Sequence, residues 1–128
     1  MADCTEIRYK GVQMVYTNVE DCGGEQAIPA FKKVVEIAKK YPNKSMLSLV
    51  NAQNTRFSSE LLSTIKDVVK QNNPKVKATA VFGLNTLSTL MVNSIISVTG
   101  RKMKLLNNME EAQEWLYQYE LKTRSAAV

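Results

Sequence analysis

The spacing of apolar residues along this chain switches repeatedly between a strand-like and a helix-like period, and that alternation limits the folds open to it more than any other feature. Two runs rich in Ile, Val, Tyr and Thr, EIRYKG and VQMVYTNV, come first, with Gly11 between them as a turn residue. Their pattern predicts a β-hairpin. DCGGE then breaks the pattern, and Ile28, Phe31, Val34, Val35 and Ala38 recur at helical intervals with lysines and Glu36 opposite. Pro29 suits a first helical turn and clashes deeper inside, which predicts a helix beginning near Ala27 or Ile28 and closed by Tyr41, Pro42 and Asn43.

SMLSLVNA reads as a third strand, and NTRF leads into a helix with Leu61, Leu62, Ile65, Val68 and Val69 on one face. Pro74 in QNNPK forbids its continuation. VKATAVFGL is a fourth strand, Asn85 a cap for a helix running to Thr99, and Gly100 its stop. RKMKLLN supplies a fifth strand, and MEEAQEWLYQYEL a last helix with Ala112, Trp115, Leu116 and Tyr119 inward; the tail TRSAAV has nothing to pack and is expected to fray. The order ββαβαβαβα predicts an α/β fold: a mixed, mostly parallel five-stranded sheet flanked by four helices. One domain over 1–128, with its core at about 6–121, accounts for the 128 residues, a length that buries a core without staples.

Chemistry is constrained mainly by what is missing. The chain has no histidine, and with it go the commonest general acid/base, the commonest transition-metal ligand and the usual partner of a Ser or Cys nucleophile. DCGGE has neither the spacing of a dinucleotide fingerprint nor the Lys-Ser/Thr of a phosphate loop. The acidic residues fall at caps or on exposed helix faces, and the third strand ends in VNAQN, without the aspartate a receiver domain needs for Mg²⁺. No catalytic residue, metal site or cofactor is expected, and the chain reads as a non-enzyme. The net charge of +5 is spread along the sequence with no interleaved aromatics, so a solvated basic surface is expected rather than nucleic-acid binding. Cys4 and Cys22 match no metal spacing, and no secretory signal is recognised. Reduced thiols in a cytoplasmic protein are the default, a disulfide being the alternative if the first strands bring the two together.

Two stretches are left to carry function. In NTRFSSELLS, Ser58 can cap the second helix, Glu60 complements its positive end and Phe57 can staple to Leu62. A phosphate on Ser58 or Ser59 would be favoured by the helix end and by Arg56. Such a strand-to-helix junction in an open α/β sheet is also where ligands and partners dock. The second stretch, Ala78 to Thr99, contains no charged residue. Asn85, Asn93 and its Ser and Thr residues argue against a membrane span. In its helix, Leu87, Leu90, Met91, Ile95 and Val98 form one apolar face, taken as the core face, while Val92 and Ile96 lie on another side. That pair is extra core, a dimer or partner surface, or the wall of an apolar ligand site.

LVNAQNTRFSSELLSTIKD, VKATAVFGL with its following helix, and TGRKMKLLNNMEEAQEWL together resemble the STAS domain superfamily over about Gly11 to Leu116, and more closely its small SpoIIAA-like (STAS/SEC14-like) bacterial members. The resemblance implies a non-enzymatic regulatory or scaffolding module, like the anti-sigma-factor antagonists, whose serine at the start of the second helix is phosphorylated within an Asp-Ser-Ser/Thr-Gly motif. Ser58 and Ser59 match the serine positions; Phe57 stands where the motif has aspartate, and Glu60 where it has glycine. Glu60 would repel a phosphate on its neighbour. The expected partner surface is Asn54, Thr55, Arg56, Ser58, Ser59 and Asn85 with the third helix. The SEC14 relationship adds an alternative, a small apolar ligand or lipid at Val92 and Ile96.

Overall fold

Lys10 and Gly11 both take positive φ, 51° and 82°, the backbone that closes a two-residue hairpin with the right twist. They join β1 (Asp3–Tyr9) to β2 (Val12–Asn18) in an antiparallel register running from Asp3 opposite Asn18 to Tyr9 opposite Val12. The computed structural model describes residues 2–126. Its remaining elements are α1 (Gly24–Ala38), β3 (Met46–Asn51), α2 (Ser59–Asn72), β4 (Val76–Phe82), α3 (Thr86–Thr99), β5 (Met103–Leu106) and α4 (Met109–Ala126). The five strands lie in sequence order, β2 to β5 being mutually parallel. The predicted element order and mixed sheet are therefore present.

Crossovers of one hand between strands laid down in one direction put their helices on one face. Accordingly α1, α2 and α3 share a core with Val19, Val50 and Val81 (buried Phe31, Leu61, Ile65, Val68, Val69 and Ile95). On the opposite face α4 buries Ala112 and Leu116 against Met14, Leu47, Leu49, Ala78, Ala80 and Phe82. β3, covered on both sides, is buried at all six positions, as an interior parallel strand should be.

Three expectations need correction. α1 begins at Gly24, so Pro29 lies well inside it. The Pro29 ring can serve no bond to the Glu25 carbonyl, but both residues are exposed and solvent can serve that group instead. β1 starts at Asp3, where pairing with Asn18 extends the strand beyond the expected core. In the tail, α4 continues through Thr123 to Ala126, with the Thr123 hydroxyl donating back to the Tyr119 and Glu120 carbonyls; Ala127 and Val128 lie outside the described residues. Both cysteines are buried free thiols, and no helix among the described residues is long and apolar enough to cross a membrane.

Candidate functional site

Three strand-to-helix junctions meet at one edge of the sheet, and main-chain bonds tie them together. The Val19 N–H donates to the Asn51 carbonyl at 3.0 Å, Asp21 N–H to Gln53 at 3.0 Å, Ala52 N–H to Phe82 at 3.0 Å and Arg56 N–H to Cys22 at 2.9 Å. Side chains add to this: Asn54 Nδ2 donates to Asp21 Oδ1 at 2.7 Å, and Asn51 Nδ2 to Glu20 Oε1 at 3.2 Å. Gly83, at φ 88°, leaves no room for a side chain, since a Cβ there would stand 2.9 Å from the Gln53 backbone. The edge is therefore a closely fitted platform from which α1, α2 and α3 start.

The caps of α2 and α3 are those the sequence predicted, whereas the cap of α1 is Gly23, whose N–H donates to Gln26 Oε1 at 2.8 Å. Ser58 Oγ accepts from the Leu61 N–H at 3.1 Å. Asn85 Oδ1 accepts from the Ser88 N–H at 2.8 Å, and the Ser88 hydroxyl oxygen accepts in return from the Asn85 N–H at 2.9 Å, a reciprocal capping arrangement. Asn54, Arg56, Ser58, Ser59 and Asn85 are all exposed. Thr55 is not. It is 8% exposed and its hydroxyl donates to the Val19 carbonyl at 2.7 Å, so it pins two loops together and drops out of the partner surface.

α3 is turned differently from the expectation. Its buried side is Ser88, Val92 and Ile95, whereas Leu87, Leu90 and Val98 are 63%, 64% and 60% exposed. Val92 therefore cannot serve as a dimer surface, and the outward apolar face belongs to residues that had been assigned to the core. Ile96 is half-buried. The orientation follows from the Asn85 cap at one end and a clasp at the other, which the sequence reading missed.

That clasp is Arg101, 6% exposed. Its Nε donates to Asn73 Oδ1 at 2.8 Å, Nη1 to Thr79 Oγ1 at 2.9 Å, and Nη2 to the Val69 carbonyl at 3.0 Å and to Asn72 Oδ1. Asn73 Nδ2 in turn donates to the Thr99 carbonyl at 3.2 Å. One guanidinium thus joins the C-terminal end of α2, whose last carbonyls attract positive charge, to β4 and to the turn after α3. Burial pushes Arg101 down to about 10, which still leaves it charged near neutrality. Two adjacent asparagines closing α2 and a Gly-Arg pair after an uncharged helix were the available signals.

Between the sheet and α1–α3 lies a cavity of about 60 Å³. Its walls include Phe31, Val50, Val81, Val92 and Ile95, and its polar residues are Thr17, Ser48, Asn72, Thr79 and Arg101. Among the described residues no group of three or more His, Cys, Asp or Glu side chains is placed to hold a metal ion.

No family model matches the chain, and no curated protein matches it. Among solved structures, the chain is similar to an uncharacterized DUF3478-family protein from Shewanella loihica PV-4 described as having a SpoIIAA-like fold. The two superpose with a TM-score of 0.71 at 13% identity, over 91% of this chain and 95% of that one. The element order, the mixed sheet and this superposition agree that the chain has a SpoIIAA-like fold.

Proposed function

We propose that the chain is a non-catalytic, cytoplasmic protein-interaction module of regulatory or scaffolding type. It docks a partner on the exposed junction residues Asn54, Arg56, Ser58, Ser59 and Asn85 together with the outer face of α3. The observation that carries this reading is the exposure, by 60% or more, of Leu87, Leu90 and Val98 on a helix without a charged residue. Apolar side chains grouped in this way mark interaction surfaces more often than singly scattered ones do. Leu87 lies two residues beyond Asn85, so the apolar strip is continuous with the polar platform.

The occupant that fits is a partner's amphipathic helix laid along α3 with apolar anchors at helical spacing. The formal net charge of +5 favours acidic residues at its rim. A phosphate mark on this surface would fall more readily on Ser59 than on Ser58, since the Ser58 hydroxyl is already engaged as the α2 cap and Ser59 is exposed. An unmodified intact mass from native cells under several growth conditions would count against that mark.

Affinity isolation from native lysate with wild type, Leu87→Glu/Leu90→Glu and Arg56→Glu tests the docking surface. Loss of the same specific protein from both variants is expected, and an identical recovered set would remove this surface. A second reading, binding of a small ligand, is favoured by the cavity behind Val92.

A further inference from the structure

We infer that β1 is the contact strand of a homodimer: two copies of the chain pair their β1 edges antiparallel about a two-fold axis at Ile7, which joins their sheets into one. The two edges of the sheet are built differently. β5 is four residues long and carries the exposed Lys104, the kind of short, charged strand that resists further pairing. β1 has seven residues, no proline and an unbroken register with β2, so its outer side is a regular row of main-chain donors and acceptors.

The hairpin decides which groups those are. In a two-residue turn the flanking residues, here Tyr9 and Val12, exchange main-chain bonds, and alternate residues of an antiparallel strand then face opposite sides. Thr5, Ile7 and Tyr9 therefore bond inward to β2, and Glu6 and Arg8 direct their N–H and C=O groups outward. Among the described residues, the one side chain that meets these outward groups is the Thr5 hydroxyl, which donates to the Glu6 carbonyl at 3.5 Å.

Only registers that set outward residues against outward residues can pair. Centred on Thr5, the strand would place Glu6 opposite the buried Cys4 and leave its charge unmatched; centred on Glu6, it would set two carboxylates face to face, which is destabilising. Centred on Ile7, it sets Glu6 opposite Arg8 and Arg8 opposite Glu6, with Thr5 opposite Tyr9 on the other face. Each Glu6 and Arg8 couple then exchanges two main-chain bonds, and the half-buried Ile7 meets its copy at the axis, where side chains stand closest. Both charged side chains are exposed, and among the described residues neither is in an ion pair. Glu6 accepts from the Tyr41 hydroxyl at 2.9 Å and from Gln13, and Arg8 makes two long bonds of 3.4 Å, to Gln13 Oε1 and the Gly11 carbonyl. Hydrogen-bond direction and charge thus select one register. The contact is separate from the docking face of α3, which links β4 to β5 at the other end of the sheet.

Sedimentation equilibrium of the full chain from ~10 μM to ~1 mM, a range that spans weak complexes, tests the inference. A reversible equilibrium between monomer and dimer is expected for wild type, weakened at least about tenfold in Glu6→Arg and in Arg8→Glu, each of which sets like charges opposite. An equimolar mixture of the two variants, and the double variant Glu6→Arg/Arg8→Glu, bring opposite charges together again and should recover the dimer. A monomer throughout the range, a dimer equally stable in both single variants, or a dimer lost in Leu87→Glu/Leu90→Glu would each overturn the inference. Should a single variant not fold, amide hydrogen exchange of the wild type decides. Exchange at Glu6 and Arg8 should slow with rising concentration while Ile7 and Tyr9, bonded to β2, stay unchanged; exchange at Glu6 and Arg8 that does not depend on concentration overturns the pairing without any substitution.

Discussion

Ser58 and Gly24 are fitted to each other across the starts of two helices: a Cβ added to Gly24 would stand 2.3 Å from the Ser58 hydroxyl and 3.1 Å from its Cβ. In an open helix, glycine to alanine gains up to about 1 kcal/mol. Here the added methyl drives Ser58 Oγ away from the Leu61 N–H and removes a cap worth about 1 kcal/mol. Gly24→Ala is therefore expected to gain nothing and to leave the urea midpoint at or below that of wild type. In a Ser58→Gly background the same substitution should instead raise stability by up to about 1 kcal/mol, because contacting residues do not act additively.

The Arg101 clasp predicts a non-conservative outcome for a conservative change. Lysine keeps the charge but cannot reach Asn73, Thr79, Val69 and Asn72 with one ammonium. Arg101→Lys therefore leaves buried acceptors without donors, at about 3 kcal/mol. Lys102→Met, one residue on and exposed, should stay within about 0.5 kcal/mol of wild type. Thermal melts of the two variants separate a clasp from a general need for positive charge in this turn.

These two cases also show what the sequence made legible. Ser58 and Asn85 were readable as caps because a cap is decided by three neighbouring residues, and both make the predicted bond. The strands were readable from their period. Thr55 and Arg101 were not, since their partners lie far along the chain: Val19 is 36 residues from Thr55, and Val69 is 32 from Arg101. The direction of α3 was hidden for a different reason. With no charged residue from Thr86 to Thr99, apolar side chains occupy both sides of the helix, and only its two fixed ends select Val92 over Leu90 for the core.

Glu114 ties α4 to the first hairpin and makes stability depend on acid. Gln118, Lys10 and Tyr9 donate to its carboxylate and hold it down to about 2, against an ordinary value of 4.5. A carboxylate depressed in the folded state contributes stability above its unfolded value, and that contribution is lost as pH falls through the folded one. Urea midpoints should therefore fall between pH 4.5 and 2, and fall less in Glu114→Gln. The group is partly exposed, so the difference is small and shrinks further in 1 M salt. An identical acid profile in the variant would show that these hydrogen bonds do not persist in solution.

The two faces of α3 separate stability from recognition within a single helix. Leu87 and Leu90 point outward, so replacing both with glutamate should change stability by no more than about 0.5 kcal/mol. At the second position after the Asn85 cap, a glutamate at 87 even complements the helix dipole. Val92, at 6% exposure, is the opposite case: Val92→Asp buries a carboxylate beside Ile95 and should unfold the chain or push that group to neutrality. If α3 docks a partner or a second copy, Leu87→Glu/Leu90→Glu abolishes the association while its melting curve overlays that of wild type. Light scattering on a size-exclusion column reads the second-copy case directly. A variant that is both less stable and less associated would mean that Leu87 and Leu90 pack inward, and the outward face of α3 would then have to be sought elsewhere on the helix.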